Sequence, residues 1–104
     1  MLAELTYQDF EKYLNQPFLL RTGEHQIELS LVEVNFGIKA QRPGDRDSFS
    51  IVFKGPNEPV LQQQIYLLEN EQLGELEIFL VSVGREGGQN MNPEKSLFYE
   101  AIFT

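Results

Sequence analysis

Apolar residues change their spacing once along the chain, and the change divides it into one helix followed by strands. Phe10, Tyr13 and Leu14 recur at i, i+3 and i+4, which places them on one helical face. Thr6 can cap this segment, Asp9 stands three residues on in a variant of the capping box, and Leu5 can staple to Phe10. Asn15 and Pro17 end it, so a helix is predicted over about residues 6–15. So short a helix does not hold in water alone, and its stripe must pack on something.

From Phe18 the period becomes two, and strands are predicted over 18–22, 26–36, 48–54, 64–69, 75–84 and 97–103. Gly23 turns the first strand into the second, where Ile27, Leu29 and Leu31 alternate with Glu28 and Ser30. The alternation slips at Leu31 and Val32 before Val34 and Phe36 resume it, as a β-bulge requires. Phe49, Ile51 and Phe53 mark the third strand, and Pro59 opposes pairing across 57–60. Asn70 to Gly74 has hairpin length, with Gly74 placed for a positive φ.

The fifth strand carries apolar residues in both phases at Phe79, Leu80, Val81 and Val83, so its second face needs cover. The helix stripe of Phe10, Tyr13 and Leu14 is the economical cover, and a partner subunit is the alternative. Residues 37–46 and 85–96 are rich in turn formers and read as loops. No internal repeat or linker is visible. The expected fold class is mainly β: about six antiparallel strands in a small barrel or sandwich, with one short N-terminal α-helix packed on it.

Composition agrees with one folded domain. A chain of 104 residues, 41% hydrophobic and 12% aromatic with eight Phe, has enough apolar material for one core. It has no cysteine, which excludes disulfides, thiolate zinc sites and thiol nucleophiles. No basic leader precedes Phe10, and the longest apolar run is Ile78 to Val81, so a cytoplasmic protein without a membrane span is expected.

Charge narrows the partners. Eight Lys and Arg against sixteen Asp and Glu give a net charge of −8, which repels phosphate backbones and anionic membranes. Neither nucleic acid nor membrane is expected; a protein partner or self-association is. Between Lys54 and Arg85 no basic residue interrupts Glu58, Glu69, Glu71, Glu75 and Glu77, whereas Lys39, Arg42 and Arg46 form a weak opposite pole that would suit head-to-tail association.

Candidate chemistry is sparse. His25, the only histidine, sits beside the Gly23 turn, and no G-x-S-x-G elbow accompanies Ser30, Ser48, Ser50, Ser82 or Ser96. Asp45 and Asp47 could offer oxygens to a hard cation, yet the calcium-hand glycine and distal glutamate are missing and Arg42 and Arg46 compete. Gly84, Gly87 and Gly88 around Arg85 suggest an anion loop, but no helix follows to aim its amides. Glu75 and Glu77 share a strand face about 6.6 Å apart, where acid–base chemistry would require a cleft. No catalytic residue, metal site or cofactor is assigned.

Several strings together resemble a family of small, uncharacterised bacterial β-rich domains of unknown function. They are Leu5, Thr6 and Phe10; Leu29, Leu31, Glu33 and Val34; Phe49, Ser50, Phe53, Gly55 and Pro56; Tyr66, Leu68, Glu69, Leu73 and Gly74; Phe79, Leu80, Val83 and Gly84; and Tyr99, Glu100, Ala101 and Phe103. The resemblance spans nearly the whole chain and departs from it at the insertion-like Gln89 to Lys95. The resemblance implies a gene of the kind often encoded near phage-tail-like or tail-collar-like proteins, and with it an accessory or assembly role with no catalytic residue to carry over.

Three functions are ranked on this basis. The first is a non-enzymatic interaction module that docks through a strand edge or through the apolar face at Phe79, Val81 and Val83. The second is a small barrel holding an apolar or sugar-like ligand in a mouth lined by Phe36, Phe49, Phe53 and Tyr66. An enzyme stands third.

Overall fold

Thr6 sets the first element in the computed structural model, which describes residues 5–23, 25–37, 47–56, 61–85 and 96–103. The Thr6 hydroxyl accepts from the Asp9 N–H at 3.3 Å, and the Asp9 carboxylate accepts from the Thr6 N–H at 2.9 Å. This capping box opens α1 (Tyr7–Glu11), which is shorter than the predicted 6–15. The chain leaves the helix early because Asn15 takes φ 69° and donates its N–H to the Leu31 carbonyl at 2.6 Å, while Leu31 N–H donates to Gln16 O. These two bonds commit residues 15–16 to the sheet.

Six strands follow among the described residues: β1 (Pro17–Thr22), β2 (His25–Phe36), β3 (Phe49–Gly55), β4 (Gln64–Asn70), β5 (Gly74–Arg85) and β6 (Leu97–Phe103). All pairings are antiparallel, and the order β1-β2-β3-β6-β5-β4 closes on itself as a barrel. Of the two architectures expected, the barrel is the one formed. Closure gives every strand two neighbours, so strand edges left unpaired among the described residues are confined to places where a ladder stops, as β5–β6 does beyond Val81 and Glu100.

The β2–β3 register shifts between Leu31 and Glu33, where the alternation slips, and β5–β6 shifts between Ser82 and Gly84. Gly74 closes the β4–β5 hairpin with φ 80°, a conformation that costs other residues energy.

The strand order also reveals an internal repeat that the sequence spacing hides. β1–β2–β3 and β4–β5–β6 are two meanders joined through β3–β6 and β1–β4. Phe18, Leu19 and Leu20 correspond to Tyr66, Leu67 and Leu68, 48 positions on, and Glu28, Leu31, Val32 and Val34 recur as Glu77, Leu80, Val81 and Val83, 49 positions on. β3 and β6 share only their inward apolar phase, which is why the repeat escapes a reading by alternation.

Inward positions fill the barrel: Phe18, Leu29, Ile51, Phe53, Leu68 and Tyr99 are among those essentially without exposure. Tyr99 carries a hydroxyl into this core and accepts from the Leu61 N–H at 3.0 Å, and the Tyr66 hydroxyl donates to Gln62 O at 2.7 Å. Among the described residues no buried side-chain nitrogen or oxygen lacks a partner.

The helix plugs one end of the barrel. Phe10 is fully buried, 5.5 Å from the Phe103 ring and 5.7 Å from Phe49, while those two stack at 4.7 Å. α1 packs on β2 and β3, so it does not cover the second face of β5 as expected, and Leu14 of the stripe is exposed. The plug is positioned by the Asn15 and Gln16 bonds to Leu31, which hold α1 over the barrel end instead of against its side.

Gly55 marks the tightest approach within the core. A Cβ there would lie 2.7 Å from Leu29 Cδ2 and 3.4 Å from Tyr99 Cε2. Both neighbours are buried, so Gly55→Ala should destabilise the fold by about 1–3 kcal/mol through overpacking. A urea midpoint equal to that of wild type would show that Leu29 moves aside without cost.

Candidate functional site

Directly opposed residues of antiparallel strands share a face, so the outward positions of β4, β5 and β6 form rows. Ile65 opposes Phe79, Leu67 opposes Glu77 and Glu69 opposes Glu75. Val81 opposes Glu100, and Ile102 borders the same cleft as Ile65 and Phe79. Ile65 is 61% exposed, Phe79 47% and Ile102 68%. Single exposed apolar residues are ordinary, but three in one row, with half-exposed Leu67 beside them, form a patch.

The cleft lies where a ladder stops. The β5–β6 register runs from Arg85 and Leu97 to Val81 and Glu100, and beyond it Gly74–Leu80 are paired, among the described residues, with β4. A space of about 370 Å³ opens there, lined by Ile65, Glu77, Ile78, Phe79, Ala101 and Ile102.

Carboxylates border the apolar row on both sides. Glu77 follows it toward Glu75 and Glu69, and Glu100 lies on the other side, opposite Val81. Among the described residues Arg21 meets this group, reaching Glu69 across the β1–β4 seam at 3.5 Å. Arg21 is exposed and Glu69 partly so, so that contact is weak, and among the described residues the carboxylates at this face outnumber the cations.

The structure separates the residues singled out from the sequence. Phe79, Val81 and Val83 lie along β5, with Phe79 and Val83 exposed and Val81 half-buried. Val83 belongs to a second depression with Val32, Val52 and Phe98, beyond Glu100. The four aromatics expected at a ligand mouth are not brought together. Phe53 and Tyr66 are buried in the barrel's own core, as is most of Phe49, whereas Phe36 is exposed and rests edge-on against Tyr7 at 5.1 Å. Phe36 and Phe49 share a depression of about 240 Å³ at the plugged end. The aromatic phase of β3 points inward, so its rings serve packing.

Glu75 and Glu77 are both exposed; Glu77 borders the cleft beside Phe79, and Glu75 is not among its lining residues. Among the described residues no group of three His, Cys, Asp or Glu side chains is placed to hold a metal ion, and no helix is long and apolar enough to cross a membrane. Asp45, the cations Lys39, Arg42 and Arg46, the glycines Gly87 and Gly88 and the segment 89–95 lie outside the described residues, as do the side chains of His25 and Arg85.

Ile65, Leu67 and Ile102 are the members of the patch that sequence reasoning did not single out. Their signal was present: Ile65 to Leu68 and Ala101 to Phe103 are apolar in both phases, the same pattern that marked Phe79 to Val83.

No curated protein and no solved structure matches the chain. A family model does match, over residues 5–103, and it carries the description of a domain of unknown function. The two meanders, the barrel they close and the face on β4–β6 all fall inside that span, and the chain belongs to this family, DUF6916.

Proposed function

We propose that the domain is a non-enzymatic protein-interaction module that docks through the outer face of β4, β5 and β6. The observation that carries this reading is the exposed row of Ile65, Phe79 and Ile102 on a barrel whose interior is filled by its own side chains. Apolar surface left in water costs about 25 cal/mol per Å², so a partner that removes this row from water gains affinity without any special chemistry. Support for a non-catalytic role comes from the interior, where the two buried tyrosines spend their hydroxyls on the backbone at Leu61 and Gln62. The finer form of the proposal is an accessory or assembly module in the cytoplasm of a bacterium, working beside phage-tail-like proteins.

Photo-crosslinking in the native cell tests the docking face. A photoreactive residue at position 79 or 102 should capture the same protein, and one at exposed Glu28 on β2 should not. Capture from position 28 as strong as from 79, or none from 79 and 102, would sink the reading.

A further inference from the structure

We infer that the occupant of this face is a cationic segment of a partner protein, presenting one apolar anchor side chain flanked by Lys or Arg. The inference rests on the docking reading above and adds the chemistry of the partner. Three observations carry it.

The apolar row is interrupted by an opening rather than being flat. The β5–β6 ladder ends at Val81 and Glu100, and the cleft beyond lies between Phe79 and Ile102 with Ile78 and Ala101 on its walls. An inserted aliphatic or aromatic side chain would lose water on several sides there, which is how anchor residues dominate small interfaces.

Charge then selects what stands beside the anchor. Glu77 and Glu100 lie on opposite sides of the row, with Glu75 and Glu69 further along. Desolvating carboxylates against an apolar or acidic partner is costly, whereas a partner cation on each side of the anchor replaces the lost water with a charge-assisted bond.

The same arrangement disfavours a second copy of this chain. Because carboxylates border the row on both sides, face-to-face pairing in either direction sets Glu against Glu, and the net charge of −8 adds repulsion at longer range.

The test uses the full chain and three peptides, Lys-Lys-Phe-Lys-Lys, Lys-Lys-Ser-Lys-Lys and Glu-Glu-Phe-Glu-Glu, followed by amide shifts in nuclear magnetic resonance. The first should move the amides of Glu77, Phe79, Ala101 and Ile102, and the serine and glutamate peptides should bind at least about tenfold more weakly. Ile102→Ser should weaken the first peptide by a similar factor. Glu77→Gln with Glu100→Gln should weaken it and flatten its salt dependence. Equal binding of the serine peptide would reduce the site to a diffuse acidic surface, and equal binding of the glutamate peptide would remove the charge argument; either overturns the inference. Self-association of wild type that Ile102→Ser abolishes would make a second copy the occupant, leaving the docking reading intact and this one rejected. Peptide shifts scattered away from β5 and β6, together with empty crosslinking from position 79, would reject both.

Discussion

Phe10→Ala should lower the unfolding free energy by about 3–5 kcal/mol, the range for truncating a buried aromatic ring. The side chain has no exposure and lies within stacking distance of Phe49 and Phe103, so its removal opens a cavity bounded by two rings that the barrel strands hold in place. Small domains have only about 5–15 kcal/mol in total, which makes this loss a large fraction of the fold. Leu14→Ala, on the same sequence stripe, should cost only about 1 kcal/mol because Leu14 is 37% exposed. Urea unfolding of the two variants decides whether α1 is a plug: comparable losses would mean that the helix packs through its whole stripe and not through Phe10 alone.

That contrast shows what the sequence could and could not reveal. Helical spacing places Phe10, Tyr13 and Leu14 on one face, and the capping box of Thr6 and Asp9 is local, so both were legible. The length of the helix and its place over the barrel end depend on Asn15 and Gln16 bonding to Leu31, a contact that only the β1–β2 hairpin creates. A reader of the sequence therefore sees an apolar stripe and an uncovered β5 face and pairs them. The fold sends the stripe elsewhere and leaves the face in water.

The strands follow the same division. Alternation places Ile27, Leu29, Phe49, Ile51 and Phe53 inside, and the slip at Leu31 and Val32 announces the bulge in β2. The bulge in β5 sends no such signal, because Val81 and Val83 are apolar on either side of Ser82 and no phase break shows. Barrel and sandwich share one alternation pattern; the β1–β4 pairing at Leu19 with Glu69 and Leu20 with Leu68 distinguishes them, and it is non-local. For the candidate face, Phe79 was legible from its own strand, but its neighbours Ile65 and Ile102 come from β4 and β6, and only the strand order sets them beside it.

Asn70→Ala should destabilise the domain by about 2–3 kcal/mol, from the penalty of leaving buried polar groups without partners. Asn70 is the one buried polar residue among those described. Its amide donates to the Pro17 carbonyl at 3.1 Å, and its oxygen accepts from the N–H groups of Gln72 at 2.9 Å and Leu73 at 3.0 Å. One side chain thus shapes the β4–β5 turn and ties it to the start of β1, at the seam where the barrel closes through only two register pairs. The Arg21–Glu69 contact spans the same seam, but Arg21→Ala should cost under about 0.5 kcal/mol, since the pair is solvated and 3.5 Å long. Hydrogen exchange separates the two roles. Asn70→Ala should speed exchange at Leu19 and Leu20 beyond its effect on β3, whereas Arg21→Ala should leave both rates unchanged. If Arg21→Ala proved the more damaging, the seam would be held by charge, and closure would weaken in high salt. Asn70 acts through short bonds in a buried site, so the closure it provides should persist there.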